Sequence, residues 1–373
     1  MLVPCSSGLG YLRHSRMLPR PAFSLTELLV ALSILAVLIA LLVPAVQKMR
    51  AAASRFECEN NLKQIGAALH GYHDVYNRFP PGGARDQIPF GTSGTAGSGW
   101  GASWLAYILP YMEQGSLYGR LEFSGGSGWN NPVNALVISN VVIDGYRCPA
   151  SLLPLTCDSP TPDGNAFHVM AANYVGIAGA DTAALPTEKR VESGSSTVAS
   201  GRLSAGGVLF PNSQIATHHI LDGTSNTFLV SEQAAFLTSQ NGDRLAWSAS
   251  SPYGWLIGAG GTGTPPNYGC MGDNRAFNVA TIRYLINHKS GWTVPEEGCD
   301  LGGLGGSAGP AGIGASSGVS ANGGQNIPLN STHEGGVNVL LCDGSVRFVS
   351  SATPLPVLGM LATRDDGLVI PDY

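Results

Sequence analysis

Pro21-Ala22-Phe23-Ser24-Leu25-Thr26-Glu27, continuing without a charge from Leu28 to Val46, is the stretch that decides the architecture. The 19 residues from Leu28 to Val46 come close to the ~20 apolar residues that a helix needs to cross a bilayer. Ahead of them, residues 1–22 carry Arg13, His14, Arg16 and Arg20 and no acid. Basic residues before the run predict that this leader stays cytoplasmic and that the rest is exported. A secretory signal has the same order of regions, but its apolar core spans only about 7–15 residues. An acid at its mouth, as Glu27 is here, would serve nothing. A carboxylate at the edge of a membrane helix is costly and is normally kept for a partner.

The run Ala22-Phe23-Ser24-Leu25-Thr26-Glu27 resembles the type IV prepilin processing site. The resemblance implies a cut between Ala22 and Phe23 by a prepilin peptidase, methylation of the new amine at Phe23, and Glu27 as the fifth mature residue. Ala22 stands where that family usually has Gly. The freed amine could pair with Glu27 of a neighbouring subunit, so that two groups costly in lipid offset each other. Pro44 falls where pilin helices commonly carry Pro and is expected to kink or locally melt the helix.

Beyond Pro44 the pattern stays helical. Ala45, Met49, Ala52, Phe56, Leu62, Ile65, Leu69, Tyr72 and Tyr76 mostly recur at three- and four-residue steps, which predicts an amphipathic stripe. Glu59 and Gly66 interrupt it, and Phe79-Pro80-Pro81 ends it. A helix over residues 24–76 would run roughly 80 Å at ~1.5 Å per residue. The expected organisation is a leader (1–22), a transmembrane helix half (23–46), an amphipathic helix half (47–78) and an exported β-rich domain (79–373).

Further strands are expected at 173–177, 207–210 and 226–232, and a short helix over 100–117. Residues 131–148 read as a helix or strand entering an extended segment. Glycine accounts for 50 of 373 residues, nearly twice the usual ~7%. Much of it lies in 82–99, 239–270 and 302–324, which read as loops, the last of them flexible. Near the C-terminus, His333-Glu334-Gly335-Gly336-Val337-Asn338-Val339-Leu340-Leu341-Cys342-Asp343-Gly344-Ser345-Val346-Arg347-Phe348-Val349 is the best hairpin signal. Asp343-Gly344 between two β-forming runs predicts a two-residue type I′ turn, with His333 at the open end.

His333, nine intervening residues and Asp343-Gly344, after a prepilin-like start, resemble the H-x9-DG family of pseudopilin-like proteins, catalogued as domain of unknown function 1559. Cys58-Glu59-Asn60-Asn61-Leu62-Lys63-Gln64-Ile65-Gly66, His70-Gly71-Tyr72-His73, Phe79-Pro80-Pro81, Leu109-Pro110-Tyr111-Met112-Glu113-Gln114, Tyr146-Arg147-Cys148-Pro149, Asn173-Tyr174 and Asp222-Gly223-Thr224-Ser225-Asn226-Thr227 resemble its other blocks, in order. The resemblance implies an α+β, pilin-like fold: a long N-terminal helix packed on an antiparallel β-sheet with long Gly-rich loops. It also implies a structural subunit anchored by one pass in the inner membrane, its C-terminal domain in the periplasm or cell exterior. Its partners would be other pseudopilin subunits of a type II secretion or type IV pilus-like apparatus, in an oligomeric assembly.

Other chemistry is weakly signalled. A Ca²⁺ site would draw on Asp343, Asp222 or Asp144 with loop carbonyls, but their spacing is not diagnostic; no other cofactor or metal is expected. His218-His219 and His70/His73 are pairs without a third ligand at zinc spacing. No nucleophile–base pattern, Walker loop or dinucleotide fingerprint occurs, so no enzyme is expected. Six cysteines outside the leader allow 15 pairings, of which Cys148–Cys157 and Cys270–Cys299 are the nearest in sequence. The net charge is −5, and three of the 20 basic residues but none of the 25 acids lie in the leader, so the chain from Phe23 carries −8. That balance disfavours nucleic acid as a partner. A rival expectation is a membrane-anchored envelope-binding module that presents Trp100, Trp129, Trp255 and Trp292 on Gly-rich loops and does not polymerise.

Overall fold

The computed structural model describes residues 24–92, 99–128, 131–160, 166–193, 201–269, 274–292, 319–320 and 324–371. Ala22, Phe23, Trp129, Cys270, Cys299 and most of the 302–324 stretch lie outside them. The chain divides into two units, residues 1–50 and 51–373. Helix α1 runs from Leu25 to Tyr76 and remains helical through Pro44.

In the first unit, α1 exposes its apolar side chains on every side: Leu25 is 81% exposed, Leu41 67% and Ile39 50%. A soluble surface does not carry such a run, whereas a bilayer solvates it. In the second unit, the buried positions of α1 are Cys58, Leu62, Ile65, Gly66, Ala68, Leu69 and Tyr72. Steps of four and three along Cys58, Leu62, Ile65, Leu69 and Tyr72 make one helical face. The stripe is shorter than its periodicity predicts: Met49, Phe56 and Tyr76 are exposed. Beside the exposed Phe56, Arg55 contacts the domain, its guanidinium 3.6 Å from the centroid of the Phe348 ring. Asn77 ends the helix in a left-handed conformation, φ 54°, with its N–H bonded to the His73 carbonyl at 2.7 Å.

The central sheet has five strands: β1 (Tyr174–Ala180), β2 (Phe228–Glu232), β3 (Val279–Ile282), β4 (Gly336–Leu341) and β5 (Val346–Ser350). Their order across the sheet is β3-β1-β2-β4-β5. All neighbours are antiparallel except β3 and β1, which run parallel. The sheet is therefore mixed within an α+β fold. A parallel pair needs a long crossover, and the chain between β1 and β3 supplies it.

Alternation along the strands builds two cores. Tyr174, Ala178, Leu229, Val230 and Leu340 join Leu62, Ile65 and Leu69 of α1 in one. Val175, Ile177, Phe228, Val337, Val339 and Leu341 join Val357, Leu358 and Leu361 of the C-terminal helix α2 (Leu355–Ala362) in the other. The sheet is thus covered on one face by the second half of α1 and on the other by α2.

Three local expectations change. The β4–β5 hairpin does not close with a two-residue turn: the Gly344 N–H bonds the Leu341 carbonyl at 3.0 Å and the Leu341 N–H bonds the Ser345 carbonyl at 2.8 Å. Only Gly344 has positive φ, +85°. This is a three-residue loop with glycine in the left-handed position. Asp343 keeps ordinary φ because its Oδ1 accepts from the Ser345 N–H (2.9 Å) and hydroxyl (2.7 Å), a local turn of its own. Residues 207–210 are buried but form no strand. Gly207 and Leu209 donate N–H bonds to Ala178 and Ile177 at 2.8 and 3.1 Å. A Cβ on Gly207 would meet the Ala178 backbone at 2.8 Å, so the segment crosses too near β1 to pleat beside it. The 100–117 stretch is not one helix. It opens as a strand at Trp100–Ser103 and then breaks into the short turns Trp104–Tyr107, Leu109–Tyr111 and Gly115–Tyr118. Pro110 has no N–H to donate and so weakens a continuous helix there. The 131–148 stretch resolves as a helix, Pro132–Ile138, started by the Asn131 side chain accepting from Val133 and Asn134.

Candidate functional site

The first functional region is the start of α1. Glu27 Oε2 accepts the Ser24 N–H at 2.9 Å, and Ser24 Oγ accepts the Glu27 N–H at 3.2 Å. This reciprocal pair is a capping box, which satisfies two backbone donors that a helix N-terminus leaves open. Ser24-x-x-Glu27 carries that signature in the sequence as well. Pro44 lies within the same helix, on the exposed apolar stretch.

The second region gathers around the C-terminal motif. His333 lies just before β4 and is buried; its N–H donates to Ser331 Oγ at 3.1 Å. Its Nε2 stands 3.7 Å from Cys148 Sγ and 3.6 Å from Glu232 Oε1. Cys148 follows the short helical turn Asp144–Tyr146 and is disulfide-bonded to Cys58 of α1, 90 residues away, with Cα atoms 5.3 Å apart. The expected Cys148–Cys157 bridge is therefore absent. Cys157 is a half-buried thiol and Cys342 a buried one. Burial pushes the Cys157 thiol up to about 12.

Glu232 closes β2 with no exposure; its carboxylate accepts the Asn338 N–H at 2.9 Å and the Asn338 side-chain amide at 3.1 Å. Asn173 Oδ1 accepts the Cys148 N–H at 3.2 Å, and Asn61 of α1 donates to the Arg147 carbonyl at 3.0 Å. Helix, sheet and hairpin thus meet at one buried polar knot. Sequence had placed His333 at the open end of the hairpin; what it could not show was that Cys58, Cys148 and Glu232 converge there.

Asp343 and Gly344 sit at the far end of the hairpin. Asp343 is exposed, and Gly344 comes within 3.6 Å of the His70 ring, measured from the position its Cβ would take. Asp222 accepts the N–H groups of Asp366 and Gly367 at 2.6 and 2.9 Å, and Asp144 lies exposed in its turn. None of the three aspartates belongs to the group of metal-capable side chains found among the described residues.

The two histidine pairs lie together. His73 Nε2 accepts the Thr217 N–H at 3.3 Å, and His219 Nδ1 accepts the Ala216 N–H at 3.0 Å. Burial, then the neighbouring His70, hold His73 below the usual imidazole range. Of the tryptophans expected as exposed contacts, Trp100, Trp255 and Trp292 are buried, and Trp129 lies outside the described residues. Burying a large aromatic side chain stabilises the core, and Gly260 lets its backbone pack against the Trp100 ring, where a Cβ would stand 2.8 Å from it.

An apolar exposed helix half with a box-capped acidic start, in a chain that matches a prepilin methylation motif, indicates a class: a type IV pilin-like protein. Residues 19–43 match the prokaryotic N-terminal methylation motif, which implies processing by a prepilin peptidase and association with a membrane. Residues 47–355 match the family described as protein of unknown function (DUF1559), and the chain belongs to that family. No curated protein and no solved structure matches the chain.

Proposed function

We propose that the chain is a pseudopilin-like structural subunit, which assembles through α1 with other subunits of its kind into a type II secretion or type IV pilus-like apparatus. The observation that carries this is the first half of α1: an apolar surface exposed on every side, opened by a single carboxylate, Glu27. A simple anchor needs the apolar surface and a helix cap, which a neutral Gln would give as well; a charged group at the membrane edge is normally kept for a partner. After cleavage before Phe23, the new amine lies four residues from Glu27 and competes for the carboxylate that Ser24 now holds. An amine on a neighbouring subunit can do the same, which couples processing to assembly. The basic leader supports a sheet domain on the far side of the inner membrane, in the periplasm or cell exterior. The chain carries no catalytic activity in this reading.

Cross-linking in the membrane tests it. The processed chain should give oligomers, and Glu27→Ala should lose them while staying anchored. Oligomers unchanged in Glu27→Ala would favour a membrane-anchored module that does not polymerise.

A further inference from the structure

We propose that Cys58, Cys148, His333 and Glu232 form a Zn²⁺ site in the dithiol form of this chain, a state that excludes the Cys58–Cys148 disulfide. One ligand atom from each of the four residues lies within 4.8 Å of the others, and all four residues are buried. His333 Nε2 is 3.6 Å from Glu232 Oε1 and 3.7 Å from Cys148 Sγ, too far for a nitrogen–oxygen hydrogen bond and slack for a sulfur one. A tetrahedral zinc ion with bonds of about 2.0–2.3 Å holds its ligand atoms about 3.3–3.8 Å apart, and both separations fall in that range. Opening the disulfide lets the two sulfurs move apart towards the same spacing, and every other pair among the four ligand atoms already lies within 4.8 Å.

The donor set selects the metal. Two thiolates, an imidazole and a carboxylate suit zinc; calcium and magnesium take oxygen donors. The surroundings already orient the ligands. Asn338 holds the Glu232 carboxylate through two hydrogen bonds, and Asn173 holds the Cys148 backbone. A cation here also offsets the cost of a carboxylate with no exposure.

The two states interconvert by thiol–disulfide exchange with an external disulfide. Two electrons leave the zinc-bound thiolates of Cys58 and Cys148, and a sulfur–sulfur bond forms between them. The oxidant's own sulfur–sulfur bond breaks to give two thiolates, and Zn²⁺ is released; no proton need move. A reducing compartment therefore favours the metal form and an oxidising one the bridge. Either form ties α1 to the β2–β4 region.

The test uses the full chain in detergent, reduced under anaerobic conditions with a phosphine and titrated with Co²⁺ as a spectroscopic stand-in for zinc. One equivalent should give the visible bands and thiolate charge-transfer absorption of a four-coordinate site, displaced by Zn²⁺. The disulfide form should give neither. His333→Ala and Glu232→Gln should each weaken Co²⁺ binding about tenfold or more. Absence of these bands in the reduced chain, or unchanged affinity in both variants, overturns the proposal. If reduction unfolds the chain, circular dichroism takes over as the readout: Zn²⁺ but not Mg²⁺ should restore the folded signal, and failure to restore it overturns the proposal equally.

Discussion

Gly66 of α1 lies directly against Leu340 of β4: a Cβ on Gly66 would stand 2.8 Å from Leu340 Cδ1 and 3.7 Å from the Gly344 Cα. Leu340 is fully buried and cannot swing aside without disturbing the core beneath it. The glycine that interrupts the apolar stripe in sequence is therefore what lets the helix settle on the hairpin. Gly66→Leu should destabilise the second unit by about 1–3 kcal/mol through overpacking, despite the better helix propensity of Leu. Chemical denaturation of the full chain in detergent, followed by tryptophan fluorescence, would show this as a lower midpoint with an unchanged slope.

The Cys58–Cys148 disulfide closes a loop 90 residues long between α1 and the segment before β1. The loop-entropy account gives such a bridge about 4–5 kcal/mol. The double variant Cys58→Ser/Cys148→Ser, compared with the oxidised chain in metal-free buffer, should lose stability of that order. Peptide mapping without reduction should recover Cys58 joined to Cys148 and not to Cys157.

Acid should loosen the contact between α1 and the 216–219 turn. His73 and His219 both accept backbone N–H groups, which only neutral imidazole can do. Burial is the largest cause lowering both in the folded state. A histidine whose folded value lies below its unfolded value, near 6.5, contributes stability that is present above 6.5 and is lost as pH falls through the folded value. The melting temperature should therefore drop below pH 6.5. His73→Gln, which keeps an acceptor but cannot charge, should flatten that limb; an unchanged pH profile would show that His73 plays no part.

Processing has its own signature. Mass spectrometry of the mature protein should find N-methyl-Phe23 at the N-terminus, and Ala22→Gly should raise the cleaved fraction. An N-terminus at Met1, or one beginning after Val43, would contradict it.

The N-terminal region was legible because its signals are local. Nineteen uncharged residues, a basic leader and an acid at a fixed offset need no tertiary partner to be read. The helix ran as its periodicity predicts, and the motif hairpin and the strands near 174 and 228 stand where β-forming residues cluster. The failures have a common cause. Met49 and Phe56 follow the helical period, but burial depends on where the sheet begins to cover the helix. The Asp343-Gly344 turn suits two loop lengths equally, and a Ser345 side chain chose between them. Cysteine spacing favoured near neighbours, whereas the bridge spans 90 residues.

The sequence by itself determined that this chain is anchored by a pilin-type helix, because membrane insertion and helix capping depend on contiguous residues. Only the tertiary structure decided that Cys58, Cys148, Glu232 and His333 meet. Their convergence depends on strand order and on α1 lying across the sheet, and these are set by packing between segments as far apart in the chain as Cys58 and His333.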